Sequence, residues 1–274
     1  MKQIASIFLC VLLFLCCAGY ISVPINERVY ADGFNGSTYE GSATETITYS
    51  TKKDNKSFIA GGVPKYFNTT EYTNTCANVG GAIVLGYYDK EYEELIPNFQ
   101  AARVIRDKIL FAKQTTAVQD VIKDLYKKMD TNVTGAGTTA KDFRTGLQNY
   151  VLEKGRKISY TSVVNNEKID FDIFKQAITE KKPIALFVSK YTMLSLGSLE
   201  KDNYSDEYNK SFYGGDHVLI AYGIREIIYY NDNGSIKDQV TLLQVATGYS
   251  QDALAYILLD ERVKVIEGYK IDIY

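Results

Sequence analysis

Hydrophobic and polar positions divide the chain into stretches of different period. After Lys2 an uncharged run extends from Ile4 to about Ile25, followed by Glu27, Arg28 and the tripeptide Val29-Tyr30-Ala31. A basic start, an apolar run and slim residues at the third-last and last positions read as a secretory signal peptide cut after Ala31. An uncleaved anchor is the alternative, since about 20 apolar residues span a bilayer. Against it, the strongest apolar stretch, Ile7 to Ala18, is short. A lipoprotein anchor fits less well, because Leu9, Leu15 and Cys16 stand before the cysteines of this stretch, where a small residue is wanted. Residues 32–62 are polar, and only Glu45 to Thr51 alternates as a strand would. They read as a loose arm, a pro-segment or an edge strand ahead of one body over residues 63–274.

Within that body the period changes once more. Residues 76–89 are apolar on nearly every face, which predicts a helix buried on all sides. Gly80, Gly81 and Gly86 each cost about 1 kcal/mol against alanine in a helix interior, unless a close neighbour needs them. Amphipathic helices are expected over about 115–130, with Val118, Val121, Ile122 and Leu125 on one face, and over 140–154. A strand near Lys157 to Val164 and a short helix near Phe171 to Glu180 follow. From Pro183 onward β-branched and aromatic runs take over, at 183–189, 217–228, 240–246, 253–259 and 262–266. Helices first and strands later give an α+β domain with a mainly antiparallel sheet. Asn231-Asp232-Asn233-Gly234 is a hairpin turn, and counting outward from it sets His217 roughly opposite residues 246–248.

Composition narrows the function classes. With 46% hydrophobic and 23% charged residues the chain is ordinary globular material, which excludes disordered and collagen-like proteins. A net charge of -2 gives no electrostatic case for a nucleic-acid partner. Neither a P-loop nor a dinucleotide fingerprint occurs, and no acidic loop has calcium spacing. One histidine and one mature cysteine make no structural zinc site, so neither metal nor cofactor is expected. The 23 tyrosines read first as a tyrosine-rich sheet, and secondarily as lining for a peptide groove.

The chain has four cysteines and a single histidine. Cys10, Cys16 and Cys17 leave with the leader, so the mature protein keeps only Cys76, which no internal disulfide can use. An unpaired thiol in an exported protein is exposed to oxidation unless it is buried or employed. A thiol near its ordinary pKa of about 8.5 becomes a nucleophile when a helix N-terminus or a histidine stabilises the thiolate. Cys76 opens the predicted buried helix after Thr73-Asn74-Thr75, three residues suited to capping. His217 opens a predicted strand 141 residues later, inside the roughly 130 to 150 found between catalytic cysteine and histidine in papain-type enzymes. The structural alternatives are a buried small hydrophobe for Cys76 and a satisfied core residue for His217.

In order, CANVGGAIVLGYYDK, FKQAITEKKPIALFV, GGDHVLIAYGI and LLQVATGY resemble the papain-like cysteine peptidases. The nearest branch is the bacterial one that includes the double-glycine leader peptidases of bacteriocin exporters and their secreted relatives. The resemblance covers about residues 63–260. It implies a papain-like fold, Cys76 as nucleophile and His217 as general base and acid, acting on a peptide or protein substrate through an acyl-enzyme. The family's third residue, an Asn or Asp that orients the imidazole, falls on Thr247, whose hydroxyl accepts a hydrogen bond but carries no charge. The family's oxyanion amide, six residues before the cysteine, falls on Thr70, leaving Asn74 as the nearest amide; losing one such donor costs about 100- to 1,000-fold in rate. For Thr247 the structural alternative is a plain strand residue, and for Asn74 an N-cap. The implied protein is a secreted or cell-surface bacterial thiol peptidase. A catalytically silent binding or adhesion module and a cell-wall peptidase or amidase are the alternatives.

Overall fold

In a computed structural model, which describes residues 36–97, 103–106, 109–112, 114–195, 204–249 and 255–274, the all-round apolar segment forms helix α1 (Cys76–Tyr88) at the centre of the molecule. The signal-peptide reading concerns residues outside this set, and so does the beginning of the polar arm. No described helix is long and apolar enough to cross a membrane. Helix α2 (Thr116–Lys128) buries Val118, Val121, Ile122 and Leu125, as their spacing predicts. Helix α3 (Ala140–Glu153) is capped by Thr139, whose hydroxyl oxygen accepts from the Asp142 N–H at 3.0 Å. Helix α4 (Phe171–Thr179) is capped by Asp170, which accepts from Asp172 and Ile173. Such caps satisfy backbone donors that the helix itself leaves open.

The glycines of α1 account for its position. A Cβ on Gly80 would stand 3.2 Å from Val218 Cγ1, and one on Gly81 would stand 3.0 Å from both Leu125 and Met129. One glycine therefore lets α1 lie against the sheet and the next lets it lie against α2. The close packing on both sides offsets their poor helix propensity.

The described residues form twelve strands, numbered here in chain order. The arm supplies β1 (Thr38–Thr48) and β2 (Thr51–Phe58). A separate hairpin is made by β3 (Arg103–Arg106) and β4 (Ile109–Ala112). Strand β5 (Ile158–Ser162) joins the main sheet, while β6 (Val164–Asn165) and β7 (Lys168–Ile169) form a second small hairpin. The rest of the main sheet is β8 (Ile184–Ser195), β9 (Ser205–Tyr230), β10 (Ile236–Ala246), β11 (Ala255–Leu258) and β12 (Lys264–Ile273). All its pairings are antiparallel, in the order β1-β9-β10-β11-β8-β12-β5, with β2 also on β9. Because β8 also pairs with β9, strands β8 to β11 close into a ring. Among the described residues, four helices and a mainly antiparallel sheet make an α+β architecture.

Strand β9 organises the functional end. On one edge it carries β8 along residues 210–221 and then β2 along 223–230; on the other it carries β1 along 205–214 and then β10 along 220–230. On that second edge the ladder pairs stop at Gly214 and resume at Ile220, with the Gly36 N–H bond to the Asp216 carbonyl continuing the β1 register between them. The amino end of α1 faces this stretch. The sequence pattern starts β9 at His217, but the strand begins twelve residues earlier, because the polar stretch 205–216 is ordered by β1 and β8 on its two sides rather than by its own period.

Candidate active site

Cys76 opens α1, and its thiol sits among the backbone N–H groups of Val218, Ala77, Gly36 and its own residue. Val218 directly follows His217, so the helix brings the Cys76 thiol to the β9 backbone next to the histidine. Thr75 occupies the N-cap with no side-chain capping bond, contrary to the capping expected of residues 73–75. First-turn N–H groups of α1 therefore face the sulfur rather than a capping oxygen. The residue as a whole is half-buried, but the thiol lies deep. Burial pushes its pKa up to about 12, against the lowering effect of those N–H groups.

His217 is 1% exposed. Its Nε2 lies 2.7 Å from the backbone carbonyl oxygen of Thr247. A carbonyl can only accept, so Nε2 bears the hydrogen and the neutral ring carries its lone pair on Nδ1. Nδ1 is buried and makes no hydrogen bond. Burial pushes the imidazole down to about 4, with the Thr247 bond acting weakly in the other direction. Thiol and imidazole are thus both neutral at pH 7 in this arrangement.

Thr247 comes to the histidine as counting from the Asn231–Gly234 turn anticipates, but through its main chain. Its hydroxyl instead accepts from the Tyr249 N–H at 3.3 Å, which replaces the hydroxyl contact expected from the sequence. Asn74 lies beside the cysteine in the left-handed region, with φ of +57°. Its amide donates to Asn132 Oδ1 at 2.9 Å, fastening the loop before α1 to the loop between α2 and α3. The donor expected to serve an oxyanion is therefore directed at Asn132. Thr70 is held in a local turn, its hydroxyl donating to Asn68 Oδ1 at 2.8 Å.

An aromatic wall completes the site. Tyr249 stacks on the His217 ring with centroids 4.4 Å apart and planes 4° from parallel. Tyr191 lies 6.0 Å away on the imidazole and 5.1 Å from Tyr213, both in stacked geometry. The Tyr249 hydroxyl is pushed up by burial first, with the nearby Cys76 adding to the effect. Ser37 bridges the wall: its hydroxyl bonds Tyr191 at 2.6 Å and also bonds Tyr249, and its N–H donates to the Tyr249 oxygen at 3.2 Å. Gly36 donates its N–H to the Asp216 carbonyl at 2.8 Å. Sequence reasoning missed Gly36, Ser37, Tyr191, Tyr213 and Tyr249 as parts of the site. Only Tyr249 had a usable signal, two residues after Thr247 at the end of the hairpin.

No protein-family model and no curated protein matches the chain. The reading of the site rests on its own chemistry. Among the described residues no group of three or more His, Cys, Asp or Glu side chains could hold a metal ion.

Proposed function

We propose that the chain is an exported papain-like cysteine peptidase that hydrolyses peptide bonds through Cys76 and His217. One observation carries the reading: the sole histidine is locked by a main-chain acceptor into the tautomer whose bare Nδ1 can take a proton, at the same edge of β9 as the Cys76 thiol. Thr247 fills the orienting place through its carbonyl, a role that in this family resemblance belongs to a side chain.

The chemistry then runs in two balanced halves. His217 Nδ1 accepts the thiol proton, and the sulfur adds to the carbonyl carbon of a peptide bond. The oxyanion that forms lies at the first-turn N–H groups of α1, including that of Cys76 itself. The imidazolium returns its proton to the departing amine, the C–N bond breaks and a thioester to Cys76 remains. Water, deprotonated by the same Nδ1, then cleaves the thioester and releases the acid. A desolvated neutral pair is a resting form, because separating charge between sulfur and nitrogen requires solvent or a bound substrate to stabilise both ions.

The test is hydrolysis of casein and of purified peptidoglycan by the full chain, compared with Cys76→Ala. It is run on the wild type and on Ser37→Ala, in which the hydroxyl bridging Tyr191 and Tyr249 is gone. Cleavage of casein by the parent, falling about 10⁴-fold or more in Cys76→Ala, supports the reading. Cleavage confined to peptidoglycan assigns the same dyad to the cell wall. No cleavage of either by both cysteine-containing proteins overturns it in favour of a silent binding module.

A further inference from the structure

We propose that Asn132, in the loop between α2 and α3, is a positioning residue that keeps the amino end of α1 uncapped, so that its first-turn N–H groups stay directed at Cys76. The proposal rests on the peptidase reading, in which those groups receive the oxyanion. A helix N-terminus leaves backbone donors without intrahelical partners, and the N-cap side chain ordinarily accepts from the second or third of them. Here the N-cap is Thr75, whose hydroxyl suits that task, yet it makes no capping bond. Its backbone, with φ of −91° and ψ of 8°, is outside the extended region from which an N-cap side chain reaches the helix. Among the donors left open is the Ala77 N–H, the second of the helix, which bonds the Cys76 sulfur. A capping Thr75 and the reaction centre therefore compete for the same N–H groups.

The uncapped backbone is held from outside the helix. Asn74, the residue before the cap, is in the left-handed region at φ of +57°, and its side-chain amide donates to Asn132 Oδ1 at 2.9 Å. Asn132 Nδ2 donates to the Thr73 carbonyl oxygen at 3.4 Å and to the Tyr126 hydroxyl at 2.7 Å. The Tyr126 ring in turn stacks on Tyr72, with centroids 4.4 Å apart. Tyr72, Thr73 and Asn74 are thus fixed by one asparagine and the tyrosine that it bonds. Asn132 is set in place by its own left-handed φ of +63° and by an exchange with Gly137, whose N–H donates to Asn132 Oδ1 at 2.6 Å and whose carbonyl accepts the Asn132 N–H at 2.9 Å. Beyond Cys76 the same loop reaches α1 again: Asn78, fully buried, donates to Thr131 Oγ1 at 3.0 Å. With both flanks of the cysteine tied to one loop, rotation of Thr75 into a capping conformation requires Thr73 and Asn74 to leave Asn132.

Glycine tolerates the left-handed backbone, so Asn132→Gly deletes the clamp without straining the loop. Tyr126→Phe removes only the hydroxyl that accepts from Asn132 and keeps the stack on Tyr72. Thr75→Val removes the hydroxyl that would cap. The experiment is alkylation of the full chain by iodoacetamide at pH 9, read by mass spectrometry on the Cys76 peptide so that the other cysteines do not contribute, with circular dichroism to check the fold of each variant. Asn132→Gly is expected to slow the reaction about tenfold, in line with one hydrogen bond to a charged sulfur, and Tyr126→Phe about threefold. Adding Thr75→Val restores either rate to within about twofold of Thr75→Val alone, a rescue that lost packing does not give. Where casein cleavage is measurable, Asn132→Gly lowers kcat by a like factor and leaves KM within about twofold. An unchanged or raised alkylation rate in Asn132→Gly overturns the proposal, and so does a fall that Thr75→Val does not reverse; if Asn132→Gly does not fold, the same outcomes in Tyr126→Phe decide. The expected rates and rescue with no cleavage of casein or peptidoglycan by any variant leave Asn132 in its positioning role and overturn the peptidase reading instead.

Discussion

The two ends of β1 dock on the same strand, β9, by opposite means. At the far end, beyond Thr48, the arm is anchored by charge and apolar burial. Asp206 of β9 is buried, and both its oxygens accept from Lys52 Nζ, at 2.8 and 2.9 Å. It also accepts from the Tyr229 hydroxyl at 2.6 Å and the Tyr49 hydroxyl at 3.3 Å. Ile47 and Tyr208 pack with Tyr229 in the cluster beneath it. Desolvation works against the Lys52 ammonium, yet its bonds to Asp206 and Tyr49 raise its pKa on balance. At the near end, the bonds of Gly36 and Ser37 to Asp216, Tyr191 and Tyr249 all join neutral groups, and the buried Nδ1 of His217 makes no hydrogen bond. The difference is one of polarity: one end is held by a buried charged cluster, the other by neutral bonds beside a thiol and an imidazole that burial keeps uncharged.

That contrast can be broken at either end. The largest effect is expected at the anchor, where Asp206→Ala removes the buried carboxylate shared by Lys52 and two tyrosine hydroxyls; removing one partner of a buried pair costs about 3–5 kcal/mol. Urea unfolding measures it, and a loss below about 1 kcal/mol would mean that the arm does not depend on this cluster. Next is the acid limb of stability. With its pKa lowered to about 4 in the fold, His217 takes up a proton in the unfolded chain first, so stability falls as pH drops from about 6.5 to about 4, by about 3 kcal/mol in all. Asp89, raised by burial to about 6, acts in the opposite sense over the same window. The difference between wild type and His217→Gln therefore isolates the histidine: stability at pH 7 minus stability at pH 4, from urea unfolding, should be about 3 kcal/mol smaller in the variant than in the parent. The smallest effect is expected for Thr247→Ala, with kcat/KM within about threefold of the parent, since only a long bond to the Tyr249 N–H is lost. A hundredfold fall would make the hydroxyl, rather than the carbonyl, the orienting group.

Much of the scaffold is legible in the sequence because it is written in local period. Helices α1 to α4 appear within about two residues of their expected ends, since apolar spacing and the caps at Thr139 and Asp170 decide them locally. The Asn231–Gly234 turn likewise carries Thr247 to His217 by counting alone, despite register shifts in β10. What escapes is fixed by partners distant in the chain. Ser205 to Asp216 has no strand pattern and becomes β9 because β1 and β8 flank it. Asn74 turns to Asn132, 58 residues away, for reasons no neighbouring residue announces. Gly36 and Ser37 are the extreme case, a pair in a polar arm whose place is fixed only where it meets Asp216 and two tyrosines.

The carbonyl on His217 has a mutational consequence. It belongs to the peptide link between Thr247 and Gly248, and every amino acid supplies one, so substitution at position 247 cannot delete it. Selection on the imidazole's orientation is therefore relaxed for side-chain identity there and transferred to spacing: a one-residue insertion or deletion in the hairpin after His217 would remove what no point change at 247 can. A threonine where the resemblance calls for asparagine or aspartate need not mark a decayed enzyme, because an orienting group carried by the main chain is inherited through length rather than through letters.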